Sequence, residues 1–182
     1  MKYQFHVKLT EKDYYEFNEF HMLKSKQGRK NILTMRTVFA VLPLIIAAVS
    51  FWGGGFTLES FLHVIPYLLI IVLFQILTVP MVRGSIKYSI KNMKKSGKMA
   101  FSPQSVIEFY DDRFVESTDV NKTEQIYAAI QRVCVIENKS IYIFVNSISG
   151  YIIPAACFKD RPQLDEFVEF IKTKSPAVEF YK

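Results

Sequence analysis

Apolar positions along this chain follow three different rhythms. In "YQFHVKL" the residues Tyr3, Phe5, Val7 and Leu9 alternate with Gln4, His6 and Lys8, the period of a strand with one buried face. From Thr10 the repeat turns helical. In "TEKDYYEFNEFHMLKSK" the side chains of Tyr14, Phe17, Phe20 and His21 share one face, Thr10 is placed to cap the start, and Asp13 suits the first turn. Periodicity then vanishes into two continuous apolar runs, Thr37 to Phe56 (20 residues) and Phe61 to Val82 (22 residues), neither carrying a charge. At about 1.5 Å per residue, roughly 20 helical residues cover the ~30 Å hydrocarbon core of a bilayer. Helices of a soluble core rarely run that far without a charge, so the two runs are predicted to form a transmembrane hairpin turning at Thr57 to Ser60.

Beyond the second run, Ile86, Ile90 and Met93 fall on one helical arc and Arg83, Lys87, Lys91, Lys94 and Lys98 on another, which extends the helix until Ser96-Gly97 breaks it. From Ser105 the period is that of strands. The stretches "VIEFY", "RFVEST", "EQIYAAI", "RVCVIEN", "SIYIFVN" and "YIIPAACF" are rich in Val, Ile, Phe and Tyr. Turn signals separate them at Asp111-Asp112, Asp119 to Lys122, Glu137 to Lys139 and Ser147 to Gly150. A closing amphipathic segment, "RPQLDEFVEFIKTK", aligns Leu164, Phe167, Val168 and Ile171, with Pro162 in its first turn and Pro176 past its end. Short strands followed by one such helix predict a curved antiparallel sheet plugged by the helix. A lone N-terminal strand is unstable and needs a partner, for which the C-terminal domain is the candidate.

The expected fold class is therefore an α+β membrane protein. Residues 1–36 form a strand and amphipathic helix, 37–82 the hairpin (37–56 and 61–82), 83–98 a basic juxtamembrane helix, and 99–182 a β domain with a C-terminal helix. A cleavable leader is not expected, because 36 mostly polar residues precede the first apolar run.

Charge then orients the hairpin. The net charge of +6 is not spread evenly. Residues 1–20 hold three basic and four acidic side chains, and residues 99–182 nine and twelve. The surplus sits in two collars free of acids: Lys24, Lys26, Arg29, Lys30 and Arg36 before the first run, and Arg83, Lys87, Lys91, Lys94, Lys95 and Lys98 after the second. Lysine and arginine next to spanning helices stay on the cytoplasmic side, so both termini are expected in the cytoplasm of an inner-membrane, multi-pass protein. The collars either contact anionic headgroups or serve only to set topology. Nucleic acid is not an expected partner, because both soluble segments are slightly acidic.

Candidate chemistry is sparse. His6, His21 and His63 are dispersed, and no metal-ligand pair or phosphate loop is present. Cys134 and Cys157 lie in apolar strand contexts and read as reduced, buried side chains. Neither an enzyme nor a cofactor or metal is expected. Inside the membrane the unusual residue is Gln75. Counted from the cytoplasmic ends it lies opposite about Leu44, in a stretch without polar side chains. Its amide must then bond a carbonyl of its own helix, reach Thr78, or meet another chain as an oligomer or partner interface.

The run from "VIEFYDDRFVEST" through "EQIYAAIQRVCVIENKSIYIFV" to "GYIIPAACF" and "LDEFVEFIKTK" resembles the C-terminal domain of the YcxB-like family of bacterial membrane proteins, with Tyr127, Ile130, Ile153, Pro154 and Phe158 as its fixed points. The resemblance covers roughly residues 99 to 174. It implies a pleckstrin-homology-like (PH-like) module behind two spans, and no settled activity. A basic residue often follows the "IP" pair in that family, where this chain has Ala155 and Ala156. The lipid-binding turn of PH domains is usually basic, and here "YDDRF" sets two acids against Arg113. The expected function is a non-enzymatic, membrane-anchored protein whose PH-like domain binds an unknown membrane or cytoplasmic protein, through an exposed strand edge or a groove beside the terminal helix, or senses the membrane. The alternative is an immunity protein against a membrane-acting toxin, or an accessory subunit of a transporter.

Overall fold

The first strand, β1 (Tyr3–Lys8), pairs antiparallel with β2 (Gln104–Phe109), placing Phe5 opposite Ile107 and Val7 opposite Ser105. These partners lie on either side of the entire helical segment, so the hairpin is an insertion between two neighbouring strands of one sheet. The structure, a computed structural model, describes residues 1–55, 57–97, 101–146, 149–175 and 177–182. Phe56 at the end of the first expected span, Lys98 of the second collar, the Ser147-Ile148 part of an expected turn and Pro176 lie outside them. The chain divides into two units, Met1–Phe17 with Lys98–Lys182, and Asn18–Gly97.

The first unit is built on two four-stranded sheets. One runs β1-β2-β3-β4, with β3 spanning Arg113–Ser117 and β4 Lys122–Ile126. The other runs β7-β6-β5-β8, from β5 (Arg132–Ile136), β6 (Ser140–Phe144), β7 (Gly150–Pro154) and β8 (Val178–Tyr181). Helix α4 (Arg161–Lys174) precedes β8 and is capped by Asp160, whose side chain accepts from the Gln163 N–H at 2.8 Å. Its apolar stripe forms the heart of the core: Phe167 and Ile171 are fully buried, and the Phe167 ring lies 5.0 Å from Phe5, 4.9 Å from Phe109 and 5.7 Å from Phe158. Alternation along β1 and β2 supplies these rings to one face, which is why Phe5 and Phe109 meet edge to face.

Two expectations are corrected here. The sheets are not wholly antiparallel, because the last four-residue strand, β8, lies parallel to β5. That strand was missed because four residues carry too little period to read. The "EQIYAAI" stretch also stops being a strand at Ile126, and Tyr127–Ala129 form a tight helical turn in which the Tyr127 hydroxyl donates to the Tyr110 carbonyl at 2.7 Å.

Helix α1 (Glu11–Glu19) opens on a reciprocal cap: the Asp13 N–H donates to Thr10 Oγ1 at 3.3 Å, and the Thr10 N–H donates to the Asp13 carboxylate at 2.8 Å. One π-helical turn (Phe20–Lys24) follows and ends at buried Ser25. The Ser25 hydroxyl donates to the His21 carbonyl at 2.8 Å and accepts from the Gly28 N–H at 2.9 Å, starting helix α2 (Lys26–Gly54). Gly28 is required there, because a Cβ would stand 2.4 Å from the His21 oxygen and 2.6 Å from the Met22 carbonyl carbon. Helix α3 (Leu58–Ser96) is capped by Thr57 and closes at Gly97, whose φ of 66° gives the left-handed stop that glycine adopts without strain. At about 1.5 Å per residue, α2 and α3 are roughly 44 and 58 Å long. Both pass the length and apolarity needed to cross a membrane, with only 6% and 11% of their most apolar windows buried.

Candidate functional site

The first unit carries a groove of about 620 Å³, lined from α1, the segment before β2, β3, β4, the β6–β7 connection and β7. Its position follows from register. On β3, Phe114 and Glu116 point to the same face, and on β4 they sit opposite Gln125 and Thr123. Phe114 is fully buried against Phe109, with their rings stacked at 5.4 Å. Glu116 therefore continues the inward face beyond the aromatic core. Tyr151 of β7 packs edge to face on Phe114 at 5.0 Å, closing the bottom, and Tyr14 of α1 stacks on Phe101 at 4.7 Å at the wall. Phe17 stacks on Phe144 at 5.3 Å and anchors α1 against β6. None of the lining residues comes from α4, and the groove lies beside α1.

Among the described residues Glu116 is the one acidic or basic side chain in this lining. Burial pushes its carboxyl above the ordinary range, against which a hydrogen bond from Ser105 acts. Burial also raises Tyr151, helped by the Glu116 charge and opposed by a hydrogen bond with Gln125. Around them stand neutral donors and acceptors, among them Thr118, Thr123, Gln125 and Asn146. Sequence reasoning missed this site. The signal was there in "RFVEST", where Glu116 lies two residues from Phe114 on one face, but Val115 between them hides the alternation.

Apart from Arg36, the described basic residues of the collars separate into two groups. Glu19, with only 12% of its side chain exposed, pairs with Lys24 and with Arg83, both at 2.8 Å. Hydrogen bonding from Lys24 holds its carboxyl below the usual range, opposed by burial and assisted by Arg83. Lys24 and Arg83 thus both serve one carboxylate, because a carboxylate this buried needs its charge compensated. Lys26, Arg29, Lys30, Lys87, Lys91, Lys94 and Lys95 are exposed, while Ile86 and Ile90 on the other arc of α3 are buried.

Gln75 is not opposite Leu44. Its amide donates to the Arg36 backbone carbonyl at 3.1 Å, and the Arg36 guanidinium donates to the Gln75 carbonyl at 2.9 Å. The register of the pair is marked by Phe51 of α2 against Phe61 of α3 at 5.0 Å, and it runs on through Phe39 stacked on Phe74 at 4.1 Å. Counting from the basic ends of the two apolar runs failed because α3 carries more apolar residues beyond this level than α2 does. Thr78 serves its own helix, donating to the Phe74 carbonyl at 2.6 Å. Gln75 therefore finds its partner within the chain, on the neighbouring helix.

Elsewhere the arrangement offers little chemistry. Asp111 pairs with Lys2 at 2.9 Å, and Arg113 is held by Asp112 and Glu124, both at 3.0 Å, so the acidic turn after β2 is internally compensated. Cys134 and Cys157 are free thiols, and burial raises the Cys157 pKa. Among the described residues no group of three or more His, Cys, Asp or Glu side chains gathers to hold a metal ion.

The geometry defines the class as an α+β chain in which two long apolar helices interrupt a β unit that carries an amphipathic groove. No family model, no curated protein and no solved structure matches it.

Proposed function

We propose that this is a non-enzymatic, membrane-anchored binding protein, in which α2 and α3 cross a bilayer as a hairpin and the PH-like β unit presents its groove to the cytoplasm. The observation that carries the reading is the exposure of apolar side chains on α2 and α3: Leu42, Ile45, Val49, Leu69, Leu73 and Ile76 are each 55–66% exposed, a surface that water does not tolerate and lipid covers. Strand pairing supports a hairpin rather than a single crossing. Because β1 and β2 lie on either side of the helices and share one ladder, the chain must return to the side it left. The exposed lysines and arginines of the collars support the cytoplasmic side and an anionic headgroup surface. The YcxB-like resemblance of the β unit is consistent with the same architecture.

The test uses the full chain in cells. A photoreactive residue at Gln125 in the groove, and separately at Lys91, is combined with cysteine labelling at Trp52 and Glu137. Labelling of Trp52 alone from outside the cell, capture of a specific molecule at Gln125 and capture of lipid at Lys91 are the expected outcomes. Labelling of Glu137 from outside overturns the orientation, and capture only of neighbouring segments of the same chain at Gln125 overturns the binding role of the groove. A captured toxin or transporter subunit would instead assign the immunity or accessory reading.

A further inference from the structure

We infer that the groove binds an organic ammonium ion, its charged head against the Glu116 carboxylate and its apolar body against the rings of Tyr14, Phe101 and Tyr151. The inference rests on the reading of the groove as a binding site and adds the chemistry of its occupant.

Charge selects the class. Among the described residues Glu116 is the one charged side chain in the lining, and no lysine or arginine pairs with it. An anion would be repelled and would find no cationic partner among the described residues of the lining. A neutral sugar or peptide backbone would leave the half-buried carboxylate uncompensated, which costs free energy that a bound cation removes. A hard divalent cation asks for several oxygen ligands with more than one carboxylate, and none gathers here among the described residues. An ammonium group satisfies the site: it donates charge-assisted hydrogen bonds to Glu116, and the neutral oxygens of Thr123 and Gln125 stand across the ladder to take its remaining donors. The walls fit the same ligand. Aromatic faces attract cations through their quadrupoles, and Tyr14 and Phe101 already form a stacked pair while Tyr151 stands over Phe114. The volume of about 620 Å³ lies within the range of small-molecule sites, so the body attached to the ammonium is of that size. Burial already raises the Glu116 carboxyl, the mark of a charge short of compensation that a cation in the groove would supply.

Free amines and lysine side chains share this head group, and the experiment separates them. Full-length protein in phosphatidylcholine nanodiscs, in phosphate buffer, is titrated calorimetrically with phenethylammonium, with the neutral 2-phenylethanol, with phenylacetate, and with a blocked Gly-Lys-Gly tripeptide. The expected result is saturable binding of phenethylammonium or the tripeptide, at least about tenfold weaker binding of 2-phenylethanol, and none of phenylacetate. The tighter of the two cations identifies the source. Glu116→Gln should weaken the cation about tenfold or more, Glu116→Asp should retain most of it, and Thr123→Trp should block the groove whatever the head group. Equal binding of the neutral alcohol, unchanged affinity in Glu116→Gln, or binding of no cation overturns the inference. Failure of the groove as a binding site is read separately, by the absence of any captured molecule at Gln125 in the crosslinking experiment, which does not depend on ligand charge.

Discussion

Replacing Phe5 by alanine tests whether the N-terminal strand is part of the β unit or an appendage of the helices. Phe5 is 2% exposed, and its ring meets those of Phe158, Phe167 and Phe109 at 4.8, 5.0 and 6.0 Å. Truncating a buried phenylalanine removes its transfer free energy and leaves a cavity, together about 3–5 kcal/mol. The rings around it come from β2, from the segment after β7 and from α4, so little of that cavity can collapse. For a β unit of this size each kcal/mol shifts the midpoint by about 4–8 °C, and a fall of more than about 12 °C is expected. Thermal unfolding of the full chain in detergent, followed by near-ultraviolet circular dichroism, reads the loss of fixed aromatic packing. Phe180→Ala, at a ring 61% exposed, is the control and should stay within about 1 kcal/mol of the parent. If Phe5→Ala behaved like Phe180→Ala, β1 would not be packed as described, and the proposal that α2 and α3 form a hairpin would lose its structural basis.

Other substitutions probe the remaining features. Glu116→Gln should raise the unfolding midpoint at pH 7–8 in phosphate and converge with the parent toward acid pH. A carboxyl whose folded pKa is raised contributes stability fully present below its unfolded value of about 4.3 and lost as pH rises through the folded value; a pH-independent gap would refute this. Glu19→Gln acts with the opposite sign. Its carboxyl is depressed, so the contribution from Lys24 and Arg83 is present above about pH 4.3 and lost as pH falls through the folded value; the variant should cost about 1–2 kcal/mol at neutral pH and less in acid. Gln75→Leu breaks one interhelical hydrogen bond and should weaken helix pairing by about 0.6 kcal/mol, seen by steric trapping in bicelles, with no change counting against the Arg36 register. Gly28→Ala drives a Cβ into the π-turn backbone and should lower expression and the midpoint far more than Gly84→Ala, where a Cβ meets nothing within 4 Å.

How far the site was legible depends on which physical rule carried each residue. The capping role of Thr10 and Asp13, the apolar stripe of α4 and the stop at Gly97 were readable, because each depends on neighbours within one or two helical turns. Glu116 was not, since its meaning lies in Tyr151 and Gln125, which other strands bring to it. Glu19 likewise looked like one of several acids in the first twenty residues until folding set it between Lys24 and Arg83.

By itself the sequence determined the presence of two helices long and apolar enough for a bilayer, the basic collars beside them, and a strand-rich C-terminal segment, because length, charge and period are local properties that no fold can alter. Tertiary structure alone decided the register in which β1 joins β2, that β8 runs parallel to β5, that Gln75 stands level with Arg36, and that one carboxylate faces an aromatic-walled groove. Those outcomes depend on the pairing of segments far apart in the chain. Their energies come from burial and register, which a linear pattern of residues does not contain.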